Sequence, residues 1–512
     1  MALEYCVKRI SFIVLSAVAI SFGFLAAPLR AQFAYVANGA GNNLSAFSIA
    51  ANGALTPVPG SPFVTGFGPT SVAVDPTGKF AYVANVSFEH LGTVSGYSID
   101  HKTGALTPVR GSPFAAGNQP SSVAVDPTGR FAYVANLLDN NVSGYSIGSN
   151  GALTPVPGSP FATGTRPRSV AVDPTGQFAY VANIGADNVS AYSIGFNGAL
   201  TPVPGSPFAT GGAPISVAVD LTGKFAYVAN SGADNVSAYS IGSNGALTPV
   251  PGSPFATGFS PFSVAVDPTG RFAYVANLLD NNVSSYSIAA NGALTPVPGS
   301  PFATGFPPFS VAVDPTGKFA YVANGPANNV SAFSIAANGA LTPVPGSPFA
   351  AGLFPLSVAI TPLVPFAASF AKLEISKKGF DLNESFTLGA NSNGINPVTE
   401  DVTLQIGTFS VTIPAGSFQQ KPNGRFDFKG IINDVKLKAQ IVPLGNNIFT
   451  FNAEGKGVDL TGLTNPVTVV LTIGTDSGTT AVRAEFEKRK KHHQPDDNGE
   501  NTQPDDNGDE HE

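Results

Sequence analysis

The stretch SVAVDPTGRFAYVAN, Ser122 to Asn136, decides the fold. It holds two short runs rich in Val, Phe, Tyr and Ala on either side of Asp126-Pro127-Thr128-Gly129. That linker has tight-turn chemistry: the Asp side chain bonds nearby backbone, Pro presets φ, and Gly ends the turn without steric cost. Two extended segments joined by a turn follow. Moving outward, NVSGYSI (Asn141 to Ile147) is a third extended segment, and Asn150-Gly151 is a hairpin signal. ALTPV, from Ala152, and the GSPF that follows it complete a unit of four short strands.

The unit recurs. FAYVAN begins at Phe33, Phe80, Phe131, Phe178, Phe225, Phe272 and Phe319, with spacings of 47, 51, 47, 47, 47 and 47 residues. SVAVD precedes every copy except the first, and a seventh version, SVAIT from Ser357, has no FAYVAN after it. GALTPV also occurs seven times, from Gly53 to the copy at Gly339. Four strands per unit of this length, repeated seven times, predict an all-β fold, a seven-bladed β-propeller over residues 32–361. The 3.6-residue periodicity of a helical solenoid is absent. The chain enters on a second strand and leaves on a first strand. SVAIT is therefore expected to pair beside Phe33 to Asn38, so that both chain ends close the ring and no sheet edge is left open.

FAYVAN, preceded by SVAVDPTGKF and followed by YSI and NGALTPV, resembles the YVTN-type propellers and the seven-bladed lactonase-like family. That family includes a class of 6-phosphogluconolactonases. The resemblance spans about 329 of the 512 residues. It implies the propeller fold and admits lactone hydrolysis. It also implies carboxylate, His and Arg side chains in a central channel as the catalytic groups.

The rest of the chain is bounded by composition. Gly and Pro together number 100, from 56 and 44, which favours turns over long helices. Charged residues are 12% and the net charge is −7, which speaks against a nucleic-acid partner. Residues 1–31 read as a signal peptide: Lys8 and Arg9, the apolar run Ile10 to Leu25, then a cleavage site at Leu29-Arg30-Ala31. A membrane anchor is the competing reading of that run. No later segment is apolar enough to span a bilayer, so a secreted or periplasmic protein is expected. Cys6, the only cysteine, lies inside the leader, leaving the mature chain without disulfide or thiol chemistry. Residues 362–368 read as a linker. Residues 369–486 lose the repeat but keep alternating runs such as DVTLQIGTFSVTI from Asp401, predicting a smaller β-sandwich-like domain of six to eight strands. Residues 487–512 form a polar tail with two QPDDNG copies, expected to be disordered and solubilising, with weak metal binding as the alternative.

The propeller is poor in catalytic side chains. Glu89 is its only Glu, and His90 and His101 are its only His. All three flank the single departure from the 47-residue spacing. Glu89 and His90 are recorded as catalytic candidates together with Arg166 and Arg168, against the plainer reading of a longer solvated loop. The repeated Asp75, Asp126, Asp173, Asp220, Asp267 and Asp314 belong to the turn. The Asn that ends each FAYVAN is read as a cap for loop backbone. No phosphate loop, zinc spacing, Ser-His-Asp set or haem motif appears, so no cofactor and no metal site is expected. A redox-cofactor propeller is disfavoured for the same lack of His and Cys.

Variation among the copies gathers in two joints, after FAYVAN and in the Gly-x-x-Pro-x-Ser-Val segment, and strand alternation puts both at one end of the ring. The second joint supplies Phe67, then Arg166 and Arg168, then Phe259 and Phe262, Phe306 and Phe309, and Leu353, Phe354 and Leu356. This predicts an asymmetric rim with an apolar arc on one side and a basic spot elsewhere. Asp139, Asp187, Asp234 and Asp280 join that end from the other joint. The rim is read as a binding surface for a protein or a glycan, making the propeller a binding or scaffold module. Packing of these Phe and Leu side chains between blades is the competing reading. Lactone hydrolysis, the activity of the resembled family, is the alternative function.

Overall fold

A computed structural model describes residues 32–486 apart from 88–90, 367, 377, 389–394, 446, 461 and 475. The leader over 1–31 and the tail over 487–512 lie outside the described residues. Two compact units divide between Pro365 and Phe366. Within the stretch read as a linker, Val364–Pro365 and the first residue of Ala368–Ser376 are already strand.

The first unit holds seven five-stranded sheets, each with the antiparallel order inner, second, third and fourth strand. In one blade these are Pro167–Val172, Phe178–Asn183, Asn188–Ile194 and Leu200–Pro202, with Phe208–Ala209 returning to pair with the start of the third strand. The fourth strand is thus broken in two. At the break the Ser206 hydroxyl accepts the Ala191 N–H at 2.9 Å, standing in for the carbonyl that an unbroken fourth strand would offer.

The AYVA core of FAYVAN explains how blades stack. Alternation puts Phe33, Tyr35 and Ala37 on one face of the sheet, and Ala34 and Val36 on the other. The first set packs with Ala81 and Val83 of the next blade. The same large-into-small match joins Tyr82 to Ala132 and Val134, and so on round to Tyr321, which packs with Ala34 and Val36. All seven tyrosines are fully buried, and each hydroxyl donates to a glycine carbonyl in the outer hairpin of the next blade, from Tyr35 to Gly104 at 2.9 Å through to Tyr321 to Gly53 at 3.0 Å. Burial, and after it the Asp75 carboxylate, push the Tyr82 phenol well above the usual range. Gly104 sits at φ +72, and a Cβ there would meet the Phe33 ring at 2.3 Å, so the hairpin needs Gly for both conformation and space.

The ring closes from both chain ends. Pro355–Ile360 pairs with Gln32–Asn38, from Ala34 opposite Ile360 to Asn38 opposite Pro355. Thr361 stands where the other copies carry the turn Asp. Its hydroxyl accepts the Phe33 N–H at 2.9 Å, and its own N–H donates to Phe33 O at 2.9 Å. The Asp it replaces does the same work elsewhere: Asp75 Oδ1 accepts the Phe80 N–H at 2.6 Å. The inner-strand edges are capped around the full circle. Ser71 accepts the Val123 N–H, and the series runs through Ser122, Ser169, Ser216, Ser263 and Ser310 to Ser357, which accepts the Val72 N–H at 3.2 Å.

The second unit is a two-sheet β domain. One sheet includes Asp476–Val482, Val467–Ile473, Val402–Ile406 and Phe409–Ile413, in that order. The other runs Gln419–Gln420, Phe426–Ile432, Val435–Gly445, Ile448–Lys456, Gly379–Thr387, Ala368–Ser376 and Glu485–Phe486. Alternation from Val435 to Val442 and over Val467–Ile473 buries one face of each strand. Phe380 of the larger sheet meets Phe409 of the smaller at 5.7 Å between ring centroids. There are more strands than the expected six to eight, among them two-residue rungs such as Gln419–Gln420 that leave no alternation to read.

Candidate functional site

The variable Gly-x-x-Pro-x joint resolves into three rings of residues with separate roles. The first variable position stands out into solvent: Phe67, Phe259, Phe306 and Leu353 are 54%, 62%, 51% and 57% exposed. The second takes the left-handed backbone region, at φ +59 in Arg166, +53 in Ala213 and Ser260, and +57 in Phe354. The third follows the Pro of each inner strand: Thr70, Ser121, Arg168, Ile215, Phe262, Phe309 and Leu356.

A side-chain carbonyl or carboxylate from the neighbouring blade fixes the second position. Asn42 Oδ1 accepts the Gly68 N–H, Asn140 Oδ1 accepts from Arg166, and Asn328 Oδ1 accepts from Phe354, each at 2.8 Å. Asp187 Oδ1 takes the Ala213 N–H at 2.7 Å and Asp234 Oδ1 the Ser260 N–H at 2.8 Å. Asn281 is the exception. Its Oδ1 is buried without a hydrogen-bond partner, because the matching joint residue is Pro307, which has no N–H to give. Asp139 and Asp280 tie the same joints through the N–H groups of Asn118 and Phe259, each at 2.8 Å. The four carboxylates expected at this end therefore brace backbone.

The third ring forms the mouth of the central channel. Phe262 and Phe309 meet edge to face at 5.1 Å between centroids, and Phe309 lies 5.3 Å from Phe354. Arg168 stands two inner strands from Phe262, yet its guanidinium carbon is 5.6 Å from the Phe262 ring centroid. The side chain thus reaches past the Pro214–Val219 strand into the ring interior. Burial first, and Arg166 second, lower the Arg168 pKa. Among the described residues no carboxylate pairs with Arg168. The expected separation of a basic spot from an apolar arc is corrected in part: Arg166 stands exposed, whereas Arg168 joins the arc, because a long side chain near the axis of a ring reaches across it.

Packing accounts for part of that arc. A Cβ on Gly325 would meet Phe309 at 2.7 Å, and one on Gly39 would meet Leu356 at 2.6 Å. Both glycines directly follow the FAYVAN of the same blade, so large joint residues coincide with small ones beside them. The signal lies in the pairing of the two joints, Phe309 with Gly325 and Leu356 with Gly39, and neither joint alone contains it.

Glu89 and His90 lie outside the described residues. Of the described residues on either side, Val86 N–H donates to Gly68 O at 3.1 Å and Gly92 N–H to Gly117 O at 3.0 Å. His101 belongs to the hairpin between third and fourth strands, at the opposite end of the ring, and is exposed. The Asn ring is chiefly a bridge between strands: Asn183 donates to Asn188 Oδ1 at 2.8 Å and to Ser190 Oγ at 2.9 Å. Of that ring, Asn136 does take a loop N–H, from Gly117 at 3.1 Å.

Comparison with known proteins agrees with this architecture. The model of the lactonase seven-bladed β-propeller family matches residues 32–217 and 210–363. The chain belongs to that family. Three solved structures share the fold of this lactonase-family propeller. A candidate 6-phosphogluconolactonase from Bacteroides uniformis is 18% identical, with a TM-score of 0.58, over 65% of this chain and 100% of the other. One from Bacteroides fragilis is 22% identical, with a TM-score of 0.57, over 65% and 98%. The periplasmic gluconolactonase of Pseudomonas aeruginosa is 19% identical, with a TM-score of 0.56, over 64% and 99%. No curated protein matches the chain.

Proposed function

We propose that the propeller is a lactone hydrolase acting at the mouth of its channel. One observation supports this reading beyond family membership: Arg168 presents a guanidinium against an aromatic wall, with no carboxylate partner among the described residues. Ester hydrolysis places negative charge on the carbonyl oxygen during attack and leaves a carboxylate afterwards. A cation held in a partly desolvated site favours both. In this reading water adds to the lactone carbonyl, the ring C–O bond breaks, and the alkoxide leaves with a proton. Glu89 and His90 are the acid–base groups the propeller sequence offers for those proton transfers. The leader-like residues 1–31 would put this activity outside the cytoplasm.

The test is hydrolysis of a panel of five- and six-membered lactones by the mature chain, followed by pH-stat titration. Glu89→Gln and Arg168→Gln should each lower kcat at least about a hundredfold. Hydrolysis of none of the lactones, or activity unchanged in both variants, rules the reading out.

A second reading, a binding or scaffold module, is favoured by the exposed Phe259, Phe306 and Leu353 on the rim. There a protein or glycan partner would be lost on changing all three to Ser while the melting temperature stays put.

A further inference from the structure

We propose that the channel mouth takes an amphipathic monoanion, an aromatic or alkyl carboxylate or the lactone that yields one, and discriminates against polyhydroxylated sugar acids. The lactone part of this proposal rests on the hydrolase reading above; the carboxylate part does not.

The argument starts from the donors that remain. Seven side chains ring the mouth, and three of them are polar: Thr70, Ser121 and Arg168. The Thr70 hydroxyl is directed at Pro120 O, 2.8 Å, and Ala84 O, 3.2 Å. Ser121 Oγ is directed at Pro167 O, 3.0 Å, and Ala135 O, 3.2 Å, and Ser121 is buried. A hydroxyl has one proton, and both are committed to inner-strand carbonyls. Of the three, only Arg168 keeps side-chain donors without an acceptor among the described residues, in a planar fork that matches a carboxylate.

The remainder of the ring is apolar: Ile215, Phe262, Phe309 and Leu356, with the Phe354 ring tilted against Phe309. A gluconate carries five hydroxyls. Each one stripped of water here without a partner weakens binding roughly tenfold. An aromatic or alkyl group meets the opposite situation, since Phe262 and Phe309 already offer an edge and a face. One anionic head on Arg168 and one apolar body on the arc use every group the mouth presents.

The experiment is calorimetric titration of the mature full chain at pH 7 with 3-phenylpropionate, octanoate, gluconate and 6-phosphogluconate. Rates on dihydrocoumarin and glucono-δ-lactone are measured in parallel. Expected is 3-phenylpropionate binding at least about tenfold tighter than gluconate, with a further loss of about tenfold in Arg168→Gln and in Phe262→Leu. Arg168→Lys should keep part of the affinity, which separates loss of charge from loss of fold; if Arg168→Gln does not fold, Phe262→Leu alone carries the test. Gluconate or 6-phosphogluconate binding as tightly as 3-phenylpropionate overturns the proposal. So does absence of 3-phenylpropionate binding, or affinity unchanged in a folded Arg168→Gln. Selective carboxylate binding with neither lactone hydrolysed upholds this proposal and removes the hydrolase reading. Hydrolysis of glucono-δ-lactone in preference to dihydrocoumarin, with tighter gluconate binding, does the reverse.

Discussion

Replacing Thr361 with Val tests whether the two chain ends hold the ring shut. The substitution keeps the β-branched shape and deletes one hydroxyl. That hydroxyl accepts the N–H of Phe33, a residue 3% exposed, across 328 positions of sequence. The backbone bond from Thr361 N–H to Phe33 O remains. What is lost is one buried acceptor, leaving an N–H unsatisfied, at a cost of about 1–3 kcal/mol. A propeller of about 330 residues unfolds with an entropy on the order of 0.7 kcal/mol per kelvin, so the melting temperature should fall by roughly 1.5–4 °C. The assay is thermal unfolding of the mature chain followed by far-UV circular dichroism, with urea unfolding as a second measure. Thr361→Ser should recover most of the loss. Ser206→Ala, which removes the equivalent kind of bond inside a single blade, sets the scale for an ordinary joint. A Thr361→Val protein that melts within about 0.5 °C of wild type, beside a Ser206→Ala protein that does not, would refute closure through this bond.

Three further outcomes are expected. Glu384 is 2% exposed, accepts a hydrogen bond from Ser369 and leaves Oε2 without one; burial, only partly offset by Ser369, pushes its carboxyl up to about 7. An acid raised from 4.5 to about 7 by folding keeps its proton in the folded state while the unfolded chain releases it. The second domain should therefore be most stable below pH 4.5 and lose roughly 3 kcal/mol as pH rises to 7, and Glu384→Gln should flatten that slope in urea titrations from pH 4 to 8. Asp187→Asn should change stability and any lactone turnover by less than about 0.5 kcal/mol, since Asn140 and Asn328 do the same bracing in other blades; a large activity loss would contradict the bracing role. Tyr227→Phe should cost about 1–3 kcal/mol by orphaning the Gly292 carbonyl, whereas Tyr239→Phe should cost less, because Phe47 and Phe333 already fill that position in two blades; equal losses by calorimetry would contradict the distinction.

Strand order, blade count and the displaced closing strand were all legible, because each repeat states its turn chemistry and alternation in the same words. FAYVAN even encodes the blade interface, since its Tyr and Ala fall on opposite faces of one strand. Thr361 was legible only as an oddity in SVAIT; that it accepts the bond made elsewhere by Asp needed the partner strand, which lies at the far end of the chain. The joint residues were found by their variability, but their sorting was hidden. Variability is blind to direction, and Arg166 and Arg168, two residues apart across a Pro, go to solvent and to the channel respectively. The top-end carboxylates could be located from sequence, yet their commitment to neighbouring N–H groups depends on blade-to-blade spacing that no single repeat contains.

The sameness of the blades and the placement of the site have one cause. A second strand buried on both faces must fit the blade before it and the blade after it, so a change in one copy disturbs two interfaces. The left-handed joint position is constrained in turn by its Asn or Asp brace, and where Pro307 breaks the rule the brace is left unpaired. The residue after the inner-strand Pro meets fewer such demands, because beyond it lies the channel. It is therefore the position where Thr, Ser, Arg, Ile, Phe and Leu all occur on one scaffold, and where chemistry can differ between relatives that share the fold at about 20% identity. On the proposed reading the substrate is selected there, by Arg168 over the Phe262 ring and by Phe309 beside it, which together suit one charge and one apolar body.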